Sequence, residues 1–208
     1  MLTTEFIPAA KPGSKRLLIA LHGLGDSAAG YRGIPDELGL SWLNYVLVNA
    51  PDPYYSGYAW YDFTSDDEAG VARSRRLLTE LLDRLRADGF PTEETILFGF
   101  SQGCVMTIET GFRYPHRLAG LIGVSGYVHG AERLLGELSP VAKEQRMLFT
   151  HGSFDPLVPC AGARAQVTRL QKAGLAIEWI EFPKAHAFAG EPEFAAIRNF
   201  IAKAYPQP

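Results

Sequence analysis

Thr95-Ile96-Leu97-Phe98-Gly99-Phe100-Ser101-Gln102-Gly103-Cys104-Val105-Met106 is the stretch that decides the fold of this 208-residue chain. Thr95 to Phe98 form a short apolar run that stops at glycine. Val105, Met106, Ile108 and Glu109 then continue in a pattern a helix accepts. The segment reads as strand, sharp turn, helix. Working outward, the same kind of apolar run recurs at Leu17–Leu21, Tyr45–Val48, Leu118–Val124, Met147–Phe149 and Ile177–Phe182. Such runs suit strands buried on both faces, as in a parallel sheet. Helical patterns lie between them. Leu77, Leu78, Leu81, Leu82 and Leu85 make one apolar stripe, with Arg73, Arg75, Arg76, Glu80, Asp83, Arg84 and Arg86 opposite. Gly89 and Pro91 end that helix. Residues near 163–172 and 192–204 also read as helices. Strand and helix alternate to the end, which predicts a doubly wound α/β fold with a mostly parallel sheet, residues 1–208 forming one domain.

Composition narrows the function classes. Lys plus Arg is 20 and Asp plus Glu is 23, a net charge of −3, so no basic excess exists to hold a phosphate backbone. Two cysteines cannot make a disulfide framework, and no CxxC pair is present. The apolar runs are too short to span a bilayer, and MLTTEF lacks the basic segment and apolar stretch of a signal peptide, so none is expected. The expectation is a cytoplasmic chain with no nucleic-acid partner and no stable membrane insertion. No His-x-x-x-His or His-Glu pairing suggests a metal, and His22, His116, His129 and His151 read as structural. Neither a metal nor an organic cofactor is expected.

In open α/β sheets ligands sit at the carboxyl ends of strands, where Gly23, Gly99 and Gly152 fall. Gly99-Phe100-Ser101-Gln102-Gly103 is a G-x-S-x-G turn, the setting that exposes a strained serine as a nucleophile. A side chain at either glycine would collide with nearby backbone. Such a serine needs a base and an orienting acid, in the chain order serine, acid, histidine. After Ser101 the chain holds one aspartate, Asp155, and after Asp155 one histidine, His186. Both follow apolar runs, on the same predicted sheet edge as Ser101. Eight glutamates after Ser101 compete for the acid role, most of them on predicted helices. A tetrahedral intermediate also needs two N–H donors near its oxyanion. One is the backbone N–H of Gln102. The other comes from the glycine-rich turn His22-Gly23-Leu24-Gly25-Asp26, with Leu24 the candidate.

LHGLGD, GFSQG, HGSFDPLVP and the late His186 together resemble the phospholipase/carboxylesterase family of α/β-hydrolases, which includes bacterial carboxylesterases and acyl-protein thioesterases. The match runs from about Leu17 to Phe188. The resemblance implies an α/β-hydrolase fold without a large cap domain, acting on carboxylic esters or thioesters of short to medium acyl chains. It places nucleophile, acid and base on Ser101, Asp155 and His186, and oxyanion donors on Leu24 and Gln102. Substrates would be small or lipid-like esters and thioesters, acylated proteins among them, and a homodimer is compatible with it. The rival readings are a non-catalytic ligand-binding hydrolase fold, or a lactonase or peptidase on the same triad.

Two departures stand out. The family usually reads GFSQGG, and Cys104 replaces the last glycine. It reads as a small buried apolar residue, against the alternative of a second nucleophile or redox switch. Cys160 reads as a free loop thiol. The other departure lies in the stretch from Ala50 to Glu68, which shows no clear pattern and carries six aromatics between Tyr54 and Phe63. That stretch is either an apolar wall for substrate or a flap packed on the sheet edge. Trp60, with Leu157 and Phe188, is the expected substrate contact.

Overall fold

The computed structural model describes residues 1–65 and 67–205. Nine strands and six α-helices follow one another as β1 (Thr4–Ile7), β2 (Leu17–Leu21), α1 (Ile34–Leu38), β3 (Asn44–Val48), β4 (Asp52–Tyr54), β5 (Gly57–Ala59), α2 (Glu68–Ala87), β6 (Thr95–Phe100), α3 (Gln102–Gly111), β7 (Gly120–Val124), α4 (Ala131–Gly136), β8 (Arg146–Gly152), α5 (Cys160–Lys172), β9 (Ala176–Phe182) and α6 (Glu191–Ala202) among the described residues. Seven strands make one sheet in the order β1-β3-β2-β6-β7-β8-β9, parallel except for β1, which runs antiparallel to β3. The remaining pair, β4 and β5, forms a separate antiparallel hairpin. Every strand predicted from an apolar run is present, and the sheet is the mostly parallel, doubly wound one expected.

Alternation along the strands sorts the core into two layers. Leu17, Ile19, Leu21, Leu97, Leu121 and Phe149 face one side, against α2, α3 and α5. Leu18, Ala20, Ile96, Phe98, Ile122 and Leu148 face the other, against α1 and α6. A sheet buried on both faces explains why its strands are apolar at every position. The leucine stripe of α2 behaves as its spacing demands: Leu78, Leu81 and Leu82 are buried, and Leu77 and Leu85 pack beside them. Asp67 caps that helix by accepting the Gly70 N–H at 2.8 Å.

Strand order reverses at β2, with β3 on one side and β6 on the other. Register pairs Leu21 with Gly99, so the turns after β2 and β6 open side by side at the sheet's switch point. Among the described residues no helix is long and apolar enough to cross a membrane.

Two elements differ from expectation. β1 is a short edge strand with half-exposed residues and no distinguishing pattern. The patternless stretch after Ala50 holds the β4–β5 hairpin. Strands of three residues, one containing Pro53, carry too little alternation to read as strands.

Candidate active site

Three turns at the carboxyl ends of β6, β8 and β9 build the site. The first carries Ser101, whose φ of 53° and ψ of −117° lie outside the regions ordinary residues favour. Packing imposes that conformation. A Cβ on Gly99 would come within 2.1 Å of the Gly103 carbonyl, and one on Gly103 within 2.1 Å of the Leu21 carbonyl. Only glycine at both positions lets strand and helix approach so closely. α3 begins at Gln102 with Ser101 as its N-cap, so the N–H groups of its first turn have no acceptor within the helix and its positive end lies at the serine.

Asp155 and His186 come from the other two turns. His186 Nε2 lies 2.9 Å from Ser101 Oγ, and His186 Nδ1 lies 2.7 Å from Asp155 Oδ2. The other Asp155 oxygen, Oδ1, accepts the N–H groups of Leu157 and Val158, each at 2.9 Å. Burial pushes the Asp155 carboxyl up, but the Val158 N–H, the His186 ring and the Leu157 N–H outweigh it and hold the group below its usual range. Asp155 is therefore a carboxylate at neutral pH, and an acceptor at Oδ2. His186 Nδ1 must donate to it, which leaves Nε2 as the acceptor facing the serine hydroxyl. The eight later glutamates have no part in this chain of contacts.

The turn after β2 lies against the serine. A Cβ on Gly23 would sit 3.3 Å from Ser101 Cβ. The hairpin fixes that turn: the Gly25 N–H donates to the Tyr58 carbonyl, and the Tyr58 N–H to the Asp26 carbonyl, both at 2.9 Å. Leu24 lies in this turn, between Gly23, which packs against Ser101, and Gly25, which the hairpin anchors. His22 closes the turn from below. Its Nε2 accepts the Ala50 N–H at 3.1 Å, so Nδ1 carries the proton and donates to the Gly23 carbonyl at 2.6 Å. Burial lowers the His22 basicity, in keeping with a neutral structural ring.

Trp60 is fully buried. Its Nε1 donates to the His22 carbonyl at 2.9 Å, its N–H donates to Gln102 Oε1 at 3.0 Å, and its carbonyl accepts from Ser74 Oγ. Gln102 Nε2 donates in turn to the Tyr61 carbonyl at 3.0 Å. Trp60 thus lies under the β2 turn and ties the hairpin to α3, a place from which its ring has no open face toward a ligand. The expectation of a direct substrate contact is corrected to a supporting one. Phe188 is half-buried and packs against Phe98, Phe100 and Phe194, with centroids 6.2, 5.1 and 5.3 Å away. Leu157 is 71% exposed beside Asp155, and Phe154, equally exposed, flanks the acid on its other side. Across the hairpin, Tyr55 and Phe63 are exposed and both rings pack on Tyr54. The aromatic stretch is therefore divided, its outer rings facing solvent and Trp60 and Tyr61 serving as packing.

Cys104 is wholly buried, with Sγ filling the space that a Cβ on Gly123 or Gly126 would need, 2.5 Å from each. Burial pushes its thiol far above the ordinary value, so it carries no thiolate and acts as packing. His151 is buried and stacked on Trp179, its Nε2 2.9 Å from the Val158 carbonyl. Burial lowers its basicity, and its hydrogen bond steadies the loop that offers N–H groups to Asp155. No group of three or more metal-ligating side chains occurs among the described residues.

Sequence reasoning missed the Gln102 side chain, the Tyr58 backbone and the buried pair Lys184–Glu193. Only the hairpin, which had no pattern, could have disclosed the first two. A lysine two residues before the histidine was the one available sign of the third.

The family model for phospholipase/carboxylesterase matches residues 2–205. Acyl-protein thioesterase 1 of Schizosaccharomyces pombe is 33% identical over 202 residues, covering 89% of this chain and 86% of that protein. A probable carboxylesterase of Oryza sativa subsp. japonica is 26% identical, covering 96% of this chain and 83% of its own length. Among solved structures, that of esterase PE8 superposes with a TM-score of 0.88 at 27% identity, covering 98% of this chain and 99% of that one.

Proposed function

The chain belongs to the phospholipase/carboxylesterase family as an esterase- or thioesterase-type hydrolase, and we propose that it cleaves short to medium acyl esters or thioesters through Ser101, His186 and Asp155. The observation that carries this reading is the unbroken hydrogen-bonded chain from Asp155 Oδ2 through both nitrogens of His186 to Ser101 Oγ. Residues 1–208 act as one domain in it.

Ser101 Oγ attacks the acyl carbon while its proton passes to His186 Nε2. The carbonyl oxygen gains negative charge, which the N–H groups of Leu24 and Gln102 stabilise. Asp155 holds the imidazole orientation and stabilises the imidazolium. Collapse of the tetrahedral species breaks the bond to the alcohol or thiol, which takes the proton from Nε2. Water then attacks the acyl-enzyme, gives its proton to Nε2, and releases the acid as the proton returns to Ser101. The lowered proton affinity of Asp155 supports this assignment, since only the carboxylate supplies the negative charge that stabilises the imidazolium.

Leu157 and Phe154 offer apolar surface beside the acid, and Tyr55 in the hairpin turn, with Phe63 beyond it packed on Tyr54, offers more. These rims suit an acyl chain, and the acyl-protein thioesterase relatives make an acylated protein a candidate substrate. The testing experiment is rapid-mixing hydrolysis of p-nitrophenyl esters. An acyl-enzyme route gives a burst of p-nitrophenol stoichiometric with enzyme wherever deacylation is slower. Steady release from every ester, with no acylated Ser101 peptide in quenched samples, would overturn it.

A further inference from the structure

Lys184 and Glu193 are buried charges, with Nζ and Oε1 2.6 Å apart and side chains only 5% and 0% exposed. Removing two charges from water costs about as much as their attraction returns, so such a pair is weakly explained by stability alone. Its surroundings give a better explanation. The second Glu193 oxygen, Oε2, accepts the Ala189 N–H at 2.7 Å. One carboxylate thus grips both flanks of the segment that carries His186, at Lys184 before it and Ala189 after it. Glu193 itself sits in the first turn of α6, a helix anchored in the core by Phe194, Ile197, Phe200 and Ile201.

The Lys184 backbone joins this clamp to the acid. Its carbonyl accepts the Phe154 N–H at 3.1 Å, and the Ser153 N–H donates to the Phe182 carbonyl at 2.9 Å. A Cβ on Gly152 would meet the Lys184 carbonyl at 2.4 Å, so the two loops touch through bare backbone. The need for a clamp follows from topology. The His186 loop leaves β9, an edge strand supported on one side only, by β8.

We infer that Glu193, acting through Lys184 and Ala189, is a positioning residue that holds His186 so that Nε2 meets Ser101 and Nδ1 meets Asp155 at the same time. This rests on the triad reading above. Both contacts depend on one loop conformation, and a displacement of about 1 Å at a reacting group can cost a hundredfold in rate.

Two double variants of the full chain test it. Lys184→Met/Glu193→Leu removes the whole clamp and leaves no lone buried charge. Lys184→Met/Glu193→Gln keeps an acceptor for Ala189. The clamp predicts kcat lowered about 10- to 100-fold in the first and less in the second, with KM within about twofold. Fluorophosphonate inactivation, which needs no substrate binding, should slow in the same order. Thermal melting should be at or above that of the parent for the Leu variant, which separates misplacement of the base from unfolding. Parental kcat in a folded Lys184→Met/Glu193→Leu protein would overturn the inference, as would a loss confined to KM. Should that variant not fold, parental kcat and parental inactivation rate in the Gln variant would overturn it equally. Ser101→Ala, run alongside, distinguishes the failures: activity surviving there refutes the triad, whereas activity lost there but intact in both clamp variants refutes only the clamp.

Discussion

Replacing Asp155 by Asn changes one atom, and the surrounding donors determine what that atom does. Asp155 Oδ1 accepts two backbone N–H groups, from Leu157 and Val158. An asparagine must present its carbonyl oxygen to that pair, because its NH2 facing two donors would lose both bonds. The NH2 is then forced toward His186 Nδ1, 2.7 Å from where Oδ2 stood. It donates, so Nδ1 becomes the acceptor and the ring proton moves to Nε2. Nε2–H can no longer receive the Ser101 proton. Such a wrong tautomer costs about four orders of magnitude in turnover, on the order of 5.5 kcal/mol of barrier. KM should change little, since no substrate contact is removed. The assay is kcat and KM on one p-nitrophenyl ester, with circular dichroism to verify folding. Acid stability supplies an independent check. The native Asp155 carboxyl titrates below its unfolded value, so its contribution to stability is complete above pH of about 3.9 and is lost as pH falls through the lower native value. The Asn variant should therefore lose less stability than the parent on acidification below that pH. A loss of turnover under tenfold in a folded variant would refute the reasoning, because it would mean the His186 tautomer does not depend on Asp155.

Three further outcomes follow from the packing. Trp60→Ala should lower stability by about 3–5 kcal/mol and depress activity on all acyl lengths alike, because the ring supports the β2 turn; denaturant melts and an acyl panel check it, and a loss confined to longer chains would put the ring in the substrate groove instead. Cys104→Gly should keep activity within about tenfold, and Gly126→Ala, destabilising alone through its clash with Cys104, should regain stability when combined with it; melting temperatures of the two single variants and the double decide this. Catalytic efficiency should rise from acetyl by up to ~0.8 kcal/mol per methylene, about fourfold, then peak at short to medium chains, and Leu157→Ser should flatten that rise without affecting acetyl turnover; a graded ester and thioester series measures it, and a steady rise to very long chains would mean a deep tunnel.

The sequence was most legible where physics acts locally. Fully buried parallel strands must be apolar throughout, so Leu17–Leu21 and Thr95–Phe98 marked the sheet. A tight strand-to-helix turn needs glycines, so Gly99 and Gly103 marked the serine. One aspartate and one histidine remained downstream, and the structure brings both to Ser101. What the sequence did not disclose is carried by non-local backbone contacts. The hairpin's value lies in the Tyr58 bonds to Gly25 and Asp26, which no periodicity encodes. Trp60 was legible as aromatic, but its direction, inward to the His22 carbonyl, depends on Gln102 and Ser74 from two different helices. Lys184 and Glu193 lie nine residues apart with no motif to join them, and only the fold buries them together.

The most direct measurement is labelling with a fluorophosphonate probe, followed by mass spectrometry of the tryptic peptides, on the parent, Ser101→Ala and His186→Ala proteins. The account predicts one label per chain, on Ser101, in the parent. It predicts none in Ser101→Ala, which should also lose ester hydrolysis while melting like the parent, and labelling slowed by orders of magnitude in His186→Ala. A label on any other residue, or substantial hydrolysis by a folded Ser101→Ala protein, would contradict it.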